Sequence, residues 1–299
     1  MSFVSRSCFQ WQLRTHTLLL GERTRVMGIV NVTPDSFSDG GDHAATERAV
    51  SHALRLLDEG ADIVDIGGES TRPGAPALTE AAVSTAQEQD RVLPVIEGVL
   101  HARPGALVSV DTYRAATARA AVQAGAQIVN DVSGGLWDSD MFTACAELRC
   151  GTIVMHTRGL PSEWGRQQPL PASMLLPTLL EELGARLSAA TGCGIVRERI
   201  VADPGFGFGK RGAENWALLA AFSHFPELGF PLLAGLSRKG FLTSALPSET
   251  MDSKAIRDEL THASDTAAVL AGAHLVRVHD VRGAVNAAGV ADTILAAHR

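Results

Sequence analysis

Several signatures are missing from this chain, and each absence removes a class of chemistry. The four cysteines, Cys8, Cys145, Cys150 and Cys193, form no Cys-x-x-Cys pair and no Cys/His cluster at zinc-ligand spacing. A structural zinc site drops out on that ground, and the thiols read as reduced. No run approaches the ~18 apolar residues of a membrane span. The N-terminal stretch is interrupted by Arg6, Gln10, Gln12, Arg14 and His16 and lacks the apolar core of a signal peptide, which predicts a cytoplasmic protein with no membrane attachment. There is no His-Glu-x-x-His, no Ser/His/Asp triad spacing and no P-loop. Met27-Gly28-Ile29-Val30-Asn31-Val32, where a dinucleotide fingerprint would fall, lacks Gly-x-Gly-x-x-Gly. A net charge of -7 argues against a general nucleic-acid surface and leaves room only for a local basic pocket.

What is present is a repeated sentence of structure. In Gly60-Ala61-Asp62-Ile63-Val64-Asp65-Ile66-Gly67-Gly68-Glu69-Ser70 a helix pattern ends on glycine, a β-branched run reads as a buried strand, and a polar loop follows. Gly125-Ala126-Gln127-Ile128-Val129-Asn130-Asp131 and Gly272-Ala273-His274-Leu275-Val276-Arg277-Val278-His279-Asp280 repeat it. The same reading along the chain predicts strands at residues 25–32, 63–67, 107–111, 128–131, 152–156, 200–203, 232–236 and 275–279. Helices are expected at 46–59, 80–100 (with Pro94 as a kink), 115–124, 141–148, 175–190, 215–222, 256–271 and 285–297. Hydrophobic content of 45% over 299 residues supplies an ample core. Eight strands, each followed by a helix, with no composition shift between them, imply one α/β domain over residues 25–299, a single (β/α)8 TIM barrel. A doubly wound open sheet is the alternative. Residues 1–24 form a separate segment in which 8–13 and 17–20 predict a hairpin covering the bottom of the barrel.

A barrel of this kind carries its chemistry at the C-terminal ends of its strands. Asp111, Asn130 and Asp203 end strands there, and Lys239 follows the seventh, so all four are expected in the mouth. Carboxylates and an amide with one lysine suit a flat, nitrogen-rich ring that donates paired N–H groups. Helix N-capping is the plainer reading of Asp and Asn at such positions. Arg277 and His279, two apart on one strand face, make a cationic corner for a phosphate, placed beside Asn31 because the last strand closes on the first. The alternative for Arg277 is a buried pair with a barrel carboxylate such as Asp65. In Asp203-Pro204-Gly205-Phe206-Gly207-Phe208-Gly209-Lys210 the glycines admit close approach of backbone to ligand, and either Phe206 or Phe208 could stack on a ring.

Asn31-Val32-Thr33-Pro34-Asp35-Ser36-Phe37-Ser38-Asp39-Gly40-Gly41, Gly67-Gly68-Glu69-Ser70-Thr71-Arg72-Pro73-Gly74, the segment from Asp203 to Lys210, Ser237-Arg238-Lys239 and Arg277-Val278-His279-Asp280 together resemble the dihydropteroate synthase family. The resemblance runs over residues 25–298. It implies a transferase of folate synthesis that joins 6-hydroxymethyl-7,8-dihydropterin diphosphate to 4-aminobenzoate and releases pyrophosphate, with Mg2+ on the diphosphate. Carried over by position, Asp111, Asn130, Asp203 and Lys239 would hold the pterin, and Phe208 is counted among the substrate-binding residues. Asn31 would be the metal ligand, and Arg277 and His279 would meet the diphosphate. Thr71, Arg72 and Pro73 would help form the aminobenzoate pocket, and Phe37 and Asp39 would belong to a mobile loop closing over both substrates. Asp39 or Asp111 would steady the cationic intermediate, and Lys239 is counted with them among the catalytic residues. The resemblance also implies a homodimer through helices late in the chain.

Two departures from the family pattern stand out. Gly240 follows Lys239 where the family commonly has serine, and Met155-His156-Thr157-Arg158-Gly159 differs from the methionine-rich version frequent there. Both bear on the aminobenzoate side rather than on the pterin set. Two other readings share the pterin carboxylates: a methyltetrahydrofolate:corrinoid methyltransferase, which has no use for a diphosphate corner, and a non-catalytic paralogue that only binds pterin.

Overall fold

The computed structural model describes residues 6–33, 41–70, 78–79, 82–247 and 253–298. A short antiparallel pair, β1 (Phe9–Gln12) and β2 (Thr17–Leu20), precedes the barrel, with Trp11 opposite Leu18. The barrel strands are β3 (Arg25–Asn31), β4 (Ile63–Gly67), β5 (Val108–Asp111), β6 (Ile128–Asp131), β7 (Gly151–Met155), β8 (Ile200–Asp203), β9 (Leu233–Ala234) and β10 (Leu275–Val278). The helices are α1 (Gly41–Asp58), α2 (Thr85–Ala102), α3 (Ala115–Gln123), α4 (Met141–Leu148), α5 (Ala172–Gly192), α6 (Ala213–Ala220), α7 (Lys254–Leu270) and α8 (Val281–Ala297).

All barrel strands are parallel, in the order β8-β7-β6-β5-β4-β3-β10-β9. The circle closes through a parallel bridge between Ala202 and Leu232, supported by the Ala202 N–H donating to the Pro231 carbonyl at 2.9 Å. The (β/α)8 architecture is therefore as the alternation of strand and helix implies, and the open-sheet alternative falls. β9 is shorter than the expected 232–236, since Gly235 and the polar Ser237-Arg238-Lys239 turn leave the ladder to line the mouth. α2 starts at Thr85 rather than near residue 80. Ser84 caps it, its Oγ accepting from Gln87 N–H while Gln87 Oε1 accepts from Ser84 N–H, a reciprocal pair that sets the first turn. α8 begins at Val281, directly after His279 and Asp280, rather than at residue 285.

Strand periodicity sorts the interior into layers. Outward residues such as Val26, Val30, Val64, Ile66, Val108, Val110 and Val129 pack against the helices in one large core. At the N-terminal end, the inward residues Met27, Ile63, Ile128, Ile153, Val201, Leu233 and Leu275 form a second apolar cluster with Trp11, Leu13 and Leu20 of the hairpin. The hairpin thus plugs the bottom of the barrel. Trp11 is 1% exposed, its indole N–H donates to the Arg199 carbonyl at 2.9 Å, and Gly151 stands so close that a Cβ there would meet Leu13 and Trp11 side-chain atoms. Two residues further along these strands, at the next inward position, the interior turns polar: Asp65, Asn130 and Arg277 point into the same lumen above this floor. Residues 6–24 are accordingly tied to the barrel rather than independent of it, with Arg6 reaching Thr24, the Ala273 carbonyl and Asp292.

Trp11→Ala is expected to destabilise the fold by about 3–5 kcal/mol, the range for removing a large buried aromatic. Urea unfolding followed by circular dichroism measures it, and a change below about 1 kcal/mol would mean that the hairpin contributes little to the barrel floor.

Candidate active site

A cavity of about 1730 Å³ opens at the C-terminal ends of the strands. Asn31, Asp111, Asn130, Asp203, Phe208, Lys239, Arg277 and His279 all line it, so every expected site residue among the described ones converges on one space. Phe37, Asp39, Thr71, Arg72 and Pro73 lie outside the described residues.

The deepest polar layer is built around Arg277. Its Nε donates to Asp65 Oδ2 at 2.6 Å and its terminal nitrogen to Asp111 Oδ2 at 2.5 Å, while Asn130 Nδ2 donates to the same Asp65 oxygen at 2.9 Å. Asp65 is fully buried. The buried pair considered as the alternative for Arg277 is thus present, with Asp111 as a second partner. Arg277 thus reaches the cavity beside His279 while already engaged by two carboxylates. A guanidinium with a five-donor fork spans carboxylates on two neighbouring strands, with Lys239 adding a second positive charge near Asp111. Burial pushes the Asp111 carboxyl up to about 7, with Arg277 opposing the rise. The last barrel strand pairs with the first as expected, and Asn31, Arg277 and His279 line one cavity. Arg277 pairs with Met27 and Val278 with Gly28, so strand stagger puts Asn31 nearer the mouth than either Arg277 or His279.

Around this layer stand the other expected groups. Asp203 accepts the Gly205 N–H at 2.7 Å and is pushed up to about 6 by burial, which that hydrogen bond and the nearby Lys239 counteract. Lys239 lies 4.2 Å from the centre of the Phe208 ring, and burial, reinforced by Arg277, lowers it to about 8. Its direction is set one residue earlier. Arg238 takes a left-handed conformation (φ 55°), held by two hydrogen bonds to Asp258 and by its own N–H on Thr261 Oγ1. His279 Nδ1 lies 2.9 Å from Ser237 Oγ, which also accepts the His279 N–H.

Both phenylalanines border the cavity but differ in exposure and in the rings they meet. Phe206 is 1% exposed and stacks between Phe222 and Phe241, whereas Phe208 is only partly buried and shares the cavity with Lys239. The glycines around them serve the turn more than a ligand. Gly205, Gly207 and Gly209 all have positive φ, and a Cβ on Gly205 would fall 2.0 Å from the His156 carbonyl oxygen. Lys210 closes the same turn from beneath, donating to the carbonyls of Gly205, His156 and Phe208. Gly240 lines the cavity at the head of a short 3-10 turn (Gly240–Ala245), with open space where a side chain would stand.

Three further lining residues were not singled out from the sequence as site residues. Ser237 orients His279. Trp164, buried, packs edge-on against Phe208 with ring centres 5.1 Å apart. Glu69 borders the cavity from the exit of β4. Trp164 comes from the long loop after β7, and nothing in its spacing signals that the loop folds back over the barrel mouth.

A parallel barrel with two carboxylates, an amide, a lysine and a partly exposed aromatic ring around one lumen defines an enzyme of the (β/α)8 class that takes a small heterocyclic substrate. A family model described as pterin binding enzyme matches residues 27–279. Dihydropteroate synthase of Streptococcus pyogenes is 41% identical over 257 residues, 86% of this chain and 90% of that protein. The mitochondrial folate synthesis bifunctional protein of Pisum sativum is 41% identical over 91% of this chain, which spans only 54% of that longer protein. The solved dihydropteroate synthase of Xanthomonas albilineans with 4-aminobenzoic acid superposes with a TM-score of 0.85 at 41% identity, covering 97% of this chain and 99% of that one. The chain belongs to the pterin binding enzyme family, and within it to the dihydropteroate synthases.

Arg277→Leu is expected to leave Asp65 and Asp111 without their cation and to destabilise the protein by about 3–5 kcal/mol. Urea unfolding at neutral pH measures this, and replacing Asp65 with Asn in the same chain should recover part of the loss.

Proposed function

We propose that the polar floor of the cavity holds the pterin ring and that its outer part, toward His279 and the start of α8, takes the diphosphate. The activity itself is that of the family branch: 6-hydroxymethyl-7,8-dihydropterin diphosphate and 4-aminobenzoate condense to 7,8-dihydropteroate and pyrophosphate, a step of folate biosynthesis. The observation that carries the division of labour is the convergence of Asp111, Asn130, Asp203 and Lys239 on one lumen with Arg277 and His279.

In this reading Asp111 and Asp203 accept N–H groups of the pterin, Asn130 supplies the amide, and Phe208 covers the ring under the Lys239 ammonium. Arg277, already shared between Asp65 and Asp111, ties the ring site to the phosphate side. The bond between the methylene carbon and the diphosphate oxygen breaks, its electron pair leaving with pyrophosphate, and the electron-rich dihydropterin delocalises the positive charge on carbon. The lone pair of the aromatic amine then forms the C–N bond, and the resulting ammonium passes its proton to solvent water. Asp111, close to the reacting methylene and ionised above about pH 7, steadies the cation. Asp39 is proposed for the same duty.

Asn31 suits a magnesium ion. It lines the cavity, its side chain makes no hydrogen bond to another described residue, and an amide oxygen is a hard ligand. No group of three His, Cys, Asp or Glu stands ready for a metal among the described residues, so one protein oxygen beside the substrate phosphates is the proposed arrangement. Mg2+ bound there would neutralise charge on the departing pyrophosphate. Thr71, Arg72 and Pro73 are proposed for the aminobenzoate, with Phe37 in the closing loop. A homodimer through α7 and α8 is part of the same proposal, supported by Val290, 58% exposed on α8. The free thiols accord with a cytoplasmic compartment.

Pyrophosphate release with both substrates tests the reading. It should require 4-aminobenzoate and Mg2+ and be abolished in Lys239→Ala; an active Lys239→Ala enzyme would show the ring site to be misplaced. The pH profile follows from the buried groups. Asp111 and Asp203 must be ionised to accept pterin N–H groups, so the KM for the pterin diphosphate should rise as pH falls through about 7 and 6. Lys239 loses its proton above about 8, so kcat/KM should fall on both flanks.

A further inference from the structure

Beside the reaction cavity lies a second one of about 460 Å³, and the two have no lining residue in common. It opens between the loop that leaves β7 and one face of α5, with His156, Gln167, Glu182 and Arg186 among its walls. That volume is in the range of a small-molecule site.

The polar groups on these walls are only half used. His156 follows directly on β7, is 1% exposed, and its Nε2 lies 2.7 Å from Glu182 Oε2. Burial, reinforced by Lys210, holds the imidazole below its usual range, and the hydrogen bond to His156 holds Glu182 below its own. Near neutral pH the ring is therefore uncharged and the carboxylate ionised, so the proton between them sits on Nε2 and Nδ1 is left as an acceptor. Nδ1 is buried without a hydrogen-bond partner. Gln167 repeats the situation: its Nε2 donates to the Arg158 carbonyl at 2.6 Å, and its Oε1 is buried without a partner. On α5, Arg186 makes no hydrogen bond or ion pair to another described residue. It stands one helical turn from Glu182, the spacing of a helix ion pair, yet Glu182 turns to His156 instead.

A buried acceptor with nothing to accept is costly, and it marks a place where a further molecule belongs. Two such acceptors call for N–H donors, the unengaged guanidinium calls for an anion, and the half-exposed Glu182 offers one more acceptor. Leu136 and Ala185 add apolar wall for a carbon skeleton. The loop between β7 and α5 borders both cavities. Gln167 lines the second, whereas Trp164, three residues earlier, lines the first and packs on Phe208.

We propose that the second cavity binds a small amino-carboxylate, its carboxylate on Arg186 and its N–H groups toward His156 Nδ1, Gln167 Oε1 and Glu182, and that occupancy is transmitted along the loop to Trp164. Neither half uses an assignment made inside the reaction cavity. Two kinds of molecule carry this chemistry, an α-amino acid and an aromatic amino-carboxylate such as 4-aminobenzoate, and the arms of the test separate them.

Saturation-transfer NMR and calorimetric titration of the unmodified chain, with the standard amino acids in pools and separately with 4-aminobenzoate, provide that test. An α-amino acid bound with a Kd of about 1 mM or tighter, and about tenfold or more weakly by Arg186→Ala, establishes the site and that source. An equivalent of 4-aminobenzoate per chain that Arg186→Ala loses establishes the other. Arg186 is only partly buried, so the variant should keep the circular dichroism spectrum of the unmodified chain, and Arg186→Lys should restore part of the binding. If no probe binds, or if every probe binds Arg186→Ala as well as the unmodified chain, the cavity holds water alone and the proposal is overturned. Tryptophan emission that shifts on binding in the unmodified chain but not in Trp164→Phe supports the link to the reaction cavity; the same shift in both, or none in either, overturns the link.

Discussion

The bridge from Asp65 through Arg277 to Asp111 is the constraint on which the site is built. Three charges sit inside a barrel whose lower half is hydrocarbon, and a charge there is tolerated only when it is paired and hydrogen-bonded. The pairing is possible because β4, β5 and β10 lie close around one lumen and present these residues on their inward faces. Arg277 has two partners, and Asp65 has two donors, Arg277 and Asn130. A ring that binds above them meets carboxylates already oriented, and orientation set beforehand is what makes an electrostatic site effective.

That layer depends on the floor beneath it. The plug of Trp11, Leu13 and Leu20 fills the bottom opening with side chains, so water does not reach the carboxylates from below. The low-dielectric surroundings raise the carboxyls of Asp111 and Asp203 and lower the ammonium of Lys239, bringing acid and base toward neutrality together. Groups balanced in this way change charge readily when a substrate arrives, which suits a site whose substrate carries its negative charge on a diphosphate and gives it up as pyrophosphate.

The eight strands could be read from one-dimensional pattern because most are short β-branched runs and all are short apolar runs closed by glycine or polar residues, and local propensity agrees there with the final structure. The rim residues Asp111, Asn130, Asp203 and Lys239 were legible for the same reason: position at a strand end becomes position at the mouth once the barrel closes. The boundaries that moved were set by interactions without a periodic signature, such as the Ser84–Gln87 cap of α2 and the Gly235 departure from β9. The partner of Arg277 was a matter of register and stagger, since the same alternation of inward residues is compatible with a free cation or a bridged one. The choice between Phe206 and Phe208 was likewise tertiary, decided by the aromatic neighbours each finds. What the amino-acid order determined alone was therefore the fold and the list of groups at its mouth, through propensity and strand parity. Which of those groups are already engaged, and which are left to meet a ligand, was decided by contacts between residues far apart in the chain, and those arise only when the barrel shuts.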